Sequence, residues 1–498
     1  MKHIRTAAML LALLTVTGAA VSCADSGTDP VTTGTAADTA SVDAETAEPD
    51  SLEARKLVSD DVPELDFGGK DFRIFYQKRY TTDALAPDGK ESGDVLNDAV
   101  YRRNQTVEER FNVKIVGIEG EEDAMVKTLM NTVSAGDDAY EIFMGHSMYS
   151  GKAALSGYFY NWYDIPHIKF DKPWFPQVAM EALNINDRMY MTVSDMCLSF
   201  ASNTYCMYFN KQLLANNDIN DIYDRVSAGT WTIDALADIS KELYQDLNGN
   251  GTPDAGDQFG FGSPLSNHTS TWLFACDVPT VEFGEDGSVS SVYATERAST
   301  LISKLRTLYK ENKGSVLTAG SDDESLFFSE FVDGNVAFIT QVVGASESSL
   351  RDVEFDYGIV PFPKYDEAQD GYYTIPGGSV SCLAAPASAS DTELIGAVTA
   401  ALSRESWVSV MPDYYDIVLK VKGARDETSI EMLDIILNTK SVDLGILFGW
   451  TSTLLDTMRS KLYNGDNTIA SLIEKQQKVI EKNMTKTVEA VREALANS

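Results

Sequence analysis

Three adjoining pieces between Cys206 and Gly262 decide the fold: CMYFNKQLL (206–214), AGTWTIDALADISKEL (228–243) and DLNGNGTPDAGDQFGFG (246–262). The first is a short apolar run that feeds a helix start at Asn210 and Lys211. In the second, Thr232 reads as an N-cap, Trp231 before it can staple onto Leu236, and Ile233, Leu236, Ala237, Ser240, Leu243 and Tyr244 recur at helical spacing. The third follows a calcium-loop pattern. A strand, a stapled helix and an oxygen-rich loop in this order read as the opening of the second lobe of a bilobal α/β protein.

Working outward, DFRIFY (71–76) reads as a first strand with Phe72 and Ile74 on one face. Asp94 caps a helix carrying Leu96, Val100, Val107 and Phe111. NVKIVGI (112–118) reads as a second strand, 125–134 as a second helix and YEIFMGHS (140–147) as a third strand. This alternation predicts an open parallel sheet flanked by helices, whose ligands bind beyond the carboxyl ends of the strands. Tyr76 to Tyr80 and Gly145 to Tyr149 are therefore placed to line a cleft. Further on, 297–311 reads as helix, 334–340, 356–366 and 377–386 as strands with their exit loops, and 392 to the end as mainly helical.

At 498 residues the chain exceeds one ordinary core, and its 44% hydrophobic content is that of a globular protein. A net charge of −35 argues against a nucleic-acid partner, because phosphates would be repelled. Residues 1–22 carry Lys2 and Arg5 ahead of an apolar run, as secretory signals do. AVSC then presents Cys23 for cleavage and lipidation, which would anchor the protein to the extracellular side of a bacterial membrane. Residues 24–66 hold twelve acidic and two basic residues without apolar periodicity, the composition of a disordered tether. The remaining cysteines, Cys197, Cys206, Cys276 and Cys382, match no zinc spacing and sit in apolar company, where buried thiols are expected. A bridge between Cys197 and Cys206 stays open to an exported protein.

The order of motifs resembles the extracellular solute-binding proteins of carbohydrate ABC transporters, the group that includes maltose-binding protein. The resemblance runs over about residues 67–490. Its markers are YFNKQLL (208–214), GTWTIDAL (229–236), SLFFSEFVDGNVAFIT (325–340), YGIVPFPKYDEAQDGYY (357–373) and SRESWVSVMPDYYDIVLKVKGARD (403–426). It implies two lobes closing on a solute: 67–200 with a return segment 373–428, and 201–372 with C-terminal helices 429–498. The chain would cross near 195–206, return near 370–378 and cross once more after the helices that follow. It also implies a monomer that delivers its solute to an ABC permease and performs no catalysis.

Candidate ligand groups follow from strand ends and from the resemblance. Sugars present apolar C–H faces that stack on rings, so Trp272 and Trp450 read equally as platforms or as core. Trp231 and Trp407 read as core, and Trp162 and Trp174 mainly so. By position, Arg79, Tyr80, His146, Ser147, Asp195, Gln341, Gly377 and Gly378 qualify as polar or close-approach groups, and Tyr414 stands in a loop of the resembling subfamily that faces the cleft. For calcium, Asp246, Asn248, Asn250, Thr252 (through its carbonyl), Asp254 and Asp257 occupy positions 1, 3, 5, 7, 9 and 12, with Gly251 at the turn. Asp257 is shorter than the usual Glu, and the same loop reads without metal as a series of Asx turns. No hydrolase, zinc-protease, P-loop or dinucleotide fingerprint appears. The remaining alternatives are a receptor of this fold for a peptide, polyamine or other small solute, and a secreted carbohydrate-active enzyme or glycan adhesin.

Overall fold

Alternation in KDFRIFYQ becomes β1 (Lys70–Gln77), with Phe72, Ile74 and Tyr76 buried. The computed structural model describes residues 52–185, 187–264, 266–283, 289–291, 295–318, 324–420, 427–464 and 469–496. The signal segment, Cys23 and the tether up to residue 51 lie outside them. After β1, the Asp94 carboxylate caps the helix Val95–Phe111 by accepting from the Asn97 N–H, and Asn112 ends it in the left-handed region at φ 48°. The chain returns as β2 (Val113–Gly120), parallel to β1, and later as β3 (Ile142–His146), also parallel to β1.

The second sheet begins with β4 (Tyr205–Asn210), buried at every position, which explains its continuous apolar reading. Asn210 caps the following helix through the Leu213 N–H, and Thr232 caps Ile233–Glu242 through the Ala235 N–H. Trp231 is fully buried, packs on Phe338 and donates its indole N–H to the Pro361 carbonyl at 3.0 Å. The strands β5 (Phe259–Pro264), β8 (Ser315–Thr318), β9 (Val336–Val342) and β10 (Tyr357–Val360) complete this sheet in the order β10-β4-β9-β5-β8. A small hairpin, β6 (Val281–Phe283) and β7 (Val289–Ser291), stands apart. β11 (Ser381–Ala384) returns to the first sheet, antiparallel to β3, in the order β11-β3-β1-β2.

Three stretches run side by side between the sheets. Thr204 bridges to Pro376, Thr374 bridges to Lys440, and the Gly377 N–H donates to the Asn203 carbonyl at 2.8 Å.

The tether reading of 24–66 needs correction at its end. Leu52–Leu57 is a helix, and the residues after it are fastened to the first lobe by basic partners far away in sequence. Arg110 grips the buried Asp60 carboxylate, Lys169 and Lys172 meet Asp61, and Arg404 donates to the Lys56 and Val58 carbonyls. Arg55 lies over the Trp407 ring, 5.2 Å from its centroid. The acidic composition suggested self-repulsion, and these long-range cations neutralise it. All four described cysteines are free and buried, so Cys197 and Cys206 form no bridge.

A cleft at the interlobe hinge

Between the lobes, where the three stretches cross, a small, partly open cleft of about 60 Å³ is bounded from both sides. Met148, one residue past the first turn after β3, comes from the first lobe; Ile375, Pro376 and Gly378 belong to the second crossing stretch; Tyr205, Ser270, Ile446, Leu455, Asp456 and Arg459 close the other side. A second, smaller recess of about 30 Å³ adjoins it, reached by Ser147, Gly377, Val442 and Asp443. Both glycines are places of close approach. A Cβ on Gly378 would stand 2.0 Å from the Met148 sulfur, and one on Gly377 would stand 3.1 Å from the Tyr205 hydroxyl.

The electrostatics of the lining are balanced. Asp456 and Arg459, three residues apart on the helix Ser452–Asn464, form an ion pair, with the Arg459 side chain 18% exposed. Burial pulls the Arg459 guanidinium below its usual pKa, and the neighbouring Tyr205 hydroxyl counters this. Tyr205 rests on the His268 ring, whose Nδ1 lies 2.9 Å from the Thr340 hydroxyl; burial lowers the His268 pKa to about 3. The rest of the main lining is apolar apart from the Tyr205 hydroxyl and Ser270, and the adjoining recess reaches Asp443, a buried carboxyl that accepts from the Thr280 N–H and whose pKa burial raises. The cleft suits a solute with apolar faces and neutral hydrogen-bonding groups.

Among the residues singled out from sequence, Ser147, Gly377 and Gly378 meet at this cleft, with the Ser147 hydroxyl donating to the Gly378 carbonyl at 3.2 Å. His146 and Arg79 stand at the adjoining ends of β3 and β1. His146 is 6% exposed with Nδ1 unpartnered, and burial, then the nearby Arg79 charge, holds its pKa down at about 4. Arg79 reaches Glu122 at 3.5 Å.

Others lie elsewhere. Trp272 is fully enclosed: its ring meets Phe362 edge-on at 4.9 Å and its indole N–H donates to the Tyr309 hydroxyl at 2.6 Å. Trp450 is buried beside Phe448, and Tyr80 and Tyr414 are enclosed, the latter against Glu347. Asp195 sits among the crossing stretches facing Lys440, its carboxyl raised by burial to about 6. Half-buried Gln341 turns its side-chain oxygen back to the Val342 N–H. An isolated aromatic looks the same in sequence whether it faces core or cleft, and Trp272, Trp450, Tyr80 and Tyr414 are buried. Tyr205, Ser270, Asp456 and Arg459 escaped sequence reading; the i,i+3 acid–base pair was the one available signal for the last two.

The oxygen-rich loop takes its turns through its own backbone. Asp246 accepts from the Gly249 and Gly251 N–H groups, and Asn248 and Asn250 direct their amides onto the two oxygens of Asp254. Asp257 is enclosed and accepts from the Leu247 N–H and the Tyr244 hydroxyl. Among the described residues no three Asp, Glu, His or Cys side chains gather as a metal-binding group. The donor set is nevertheless all oxygen once the two amides are turned, an exchange of nearly identical atoms.

Among the described residues no helix is long and apolar enough to cross a membrane. A comparison with curated proteins finds no match. Solved structures share the fold. An ABC substrate-binding protein of Listeria monocytogenes in complex with cycloalternan is 14% identical over 84% of this chain and 99% of its own, with a TM-score of 0.54. An extracellular solute-binding protein of Staphylococcus aureus in complex with maltose is 12% identical over 85% and 99%, with a TM-score of 0.56. A Mycobacterium tuberculosis protein in complex with glycerophosphocholine is 15% identical over 83% and 99%, with a TM-score of 0.53. The sequence profile described as bacterial extracellular solute-binding protein matches residues 104–399, and the chain belongs to that family.

Proposed function

We propose that this chain binds a neutral sugar or short oligosaccharide outside the cell, closes its lobes on it and delivers it to an ABC permease without chemical conversion. The observation that carries the reading is the cleft lining: apolar surfaces from both lobes around the Tyr205 hydroxyl, Ser270 and an already paired carboxylate and guanidinium, Asp456 and Arg459. Such a pair accepts and donates hydrogen bonds to neighbouring hydroxyls, and the aliphatic walls cover C–H faces. A polyamine or a charged peptide would need carboxylates or cations left unbalanced. The sugars held by two of the structures above agree with the reading, and the glycerophosphocholine of the third marks its main alternative. The lobes, taken as 67–200 with 373–428 and 201–372 with 429–498, move about the three crossing stretches, and the solute stabilises the closed state by touching both.

The test is the unfolding temperature of the full chain in detergent against panels of mono- and oligosaccharides, amino acids and polyamines, with and without calcium. A bound solute at a hundredfold its Kd adds about 2.7 kcal/mol and a clear upward shift. A shift with amino acids or polyamines and with no sugar would sink the carbohydrate reading. Calcium on Asp246, Asn248, Asn250, the Thr252 carbonyl, Asp254 and Asp257 steadies the second lobe in this proposal, and a melting temperature indifferent to calcium removes it. Lipidation of Cys23 is part of the same reading. C23A is expected to leave the membrane fraction for the medium, and its retention on the membrane would contradict an anchor there.

A further inference from the structure

A sugar ring can stack only on an aromatic face that is open. Trp162, Trp174, Trp231 and Trp272 are wholly enclosed, and Trp450 is 8% exposed. Trp407 is covered by Arg55 and tilts against Trp174. Among the described residues two tyrosines stand out as exposed, Tyr149 at 55% and Tyr163 at 45%. Tyr163 packs against Phe170 in a stretch joined to the far end of β11, where Tyr160 donates to the Ala385 carbonyl and Phe159 bridges to Pro386. Because β11 runs antiparallel to β3, that end of the sheet lies away from the carboxyl ends of β1 and β3. Tyr149 stands at the carboxyl end of β3, directly after Ser147 and Met148, which line the cleft.

Resting on the sugar reading above, we propose that Tyr149, backed by the imidazole of His146, is the ring on which the first lobe seats one sugar unit of the solute. The two rings lie 4.3 Å apart at 25°, so His146 covers one face of the phenol and fixes its plane while the remainder stays open. His146 is itself buried, and its carbonyl accepts from the Ser150 hydroxyl, which holds the ring in place beneath the phenol. Beside it, the half-exposed Arg79 and Glu122 supply a guanidinium donor and a carboxylate acceptor for the hydroxyls around the ring edge. Tyr149 is a binding residue in this scheme, and His146 acts mainly as a positioning residue.

Calorimetric titration of the full chain in detergent, with the solute that most raises the wild-type unfolding temperature, tests this. Y149A is expected to weaken binding at least tenfold and Y149W to stay within a few-fold of wild type. The solute-free unfolding temperature should remain unchanged in both, since the ring is exposed. H146F, which keeps a flat ring beneath Tyr149, is expected to hold wild-type affinity, whereas H146A falls between wild type and Y149A. Y149A binding a sugar as tightly as wild type would overturn the platform and leave the sugar reading intact. H146F as weak as H146A would overturn the backing role. A wild-type protein that responds to amino acids or polyamines and to no sugar would overturn both the reading and the platform.

Discussion

Replacing Arg103 by methionine is expected to cost about 3–5 kcal/mol of unfolding free energy. Arg103 projects from the helix Val95–Phe111 and is 1% exposed. Its guanidinium donates to the Asp83 carbonyl at 3.0 Å, the Ala84 carbonyl at 2.9 Å, the Asn104 side-chain oxygen at 2.9 Å and the Ser406 hydroxyl at 3.2 Å. Burial pulls its pKa down to about 10, and the Asp83 carboxylate opposes that shift, so the group stays charged at neutral pH. Methionine fills much of the volume but leaves buried acceptors without donors and Asp83 without its nearby cation. Lysine keeps the charge and loses the fork, so R103K should fall between the two. Urea unfolding is the measurement: a midpoint lowered at unchanged slope is expected, and a midpoint within error of wild type would contradict the account.

What the sequence disclosed about the molecule follows the range of the interactions involved. Asp94 and Thr232 were readable as caps, and Asn210 as a helix start, because a cap bonds to an N–H two or three residues away. The strand alternation around Phe72 and the buried run of β4 were readable for the same local reason, and their order along the chain set the two-sheet architecture. The segment from Leu52 to Asp66 was misread because its partners, Arg110, Lys169, Lys172 and Arg404, lie far along the chain. The cleft was legible by position and hardly at all by residue. Strand-end reasoning named Ser147, Gly377 and Gly378, which topology puts at the recess. It could not separate Trp272, inside the second core, from Tyr149, outside the first, because which way an aromatic points is settled by neighbours that local pattern does not encode. Arg459 carries a related lesson: a basic residue on a charged amphipathic helix reads as solvated until the helix is packed against a crossing strand.

The second large effect is a pH dependence of stability centred on Asp83, which is expected to vanish in D83N. Asp83 is 3% exposed, and burial raises its carboxyl from 3.8 to about 6 even though it accepts from the Ser199 N–H, the Ser199 hydroxyl and the Ser381 hydroxyl, with Arg103 nearby. Tyr80 and Cys197 also face it, and burial pushes the pKa of each upward, so both stay neutral across the range that matters. The native state therefore holds the Asp83 proton more tightly than the unfolded chain does. Its contribution is complete below about pH 4 and is lost as pH rises through about 6, amounting to about 3 kcal/mol at most. Urea unfolding of wild type and D83N at pH 4.5 and pH 7.5 should show the difference between them moving in favour of D83N as pH rises; parallel behaviour would remove Asp83 as its source. The same titration locates the hinge. Ser199 lies in the first crossing and Ser381 just after the second, so Asp83 bonds to residues at both. If closure bends the chain at that network, solute affinity titrates near pH 6 in wild type and more weakly in D83N, the remainder belonging to Asp195, whose carboxyl is also raised to about 6. If the bend lies at Thr204 and Pro376, beyond the network, D83N leaves the pH dependence of affinity unaltered while that of stability changes.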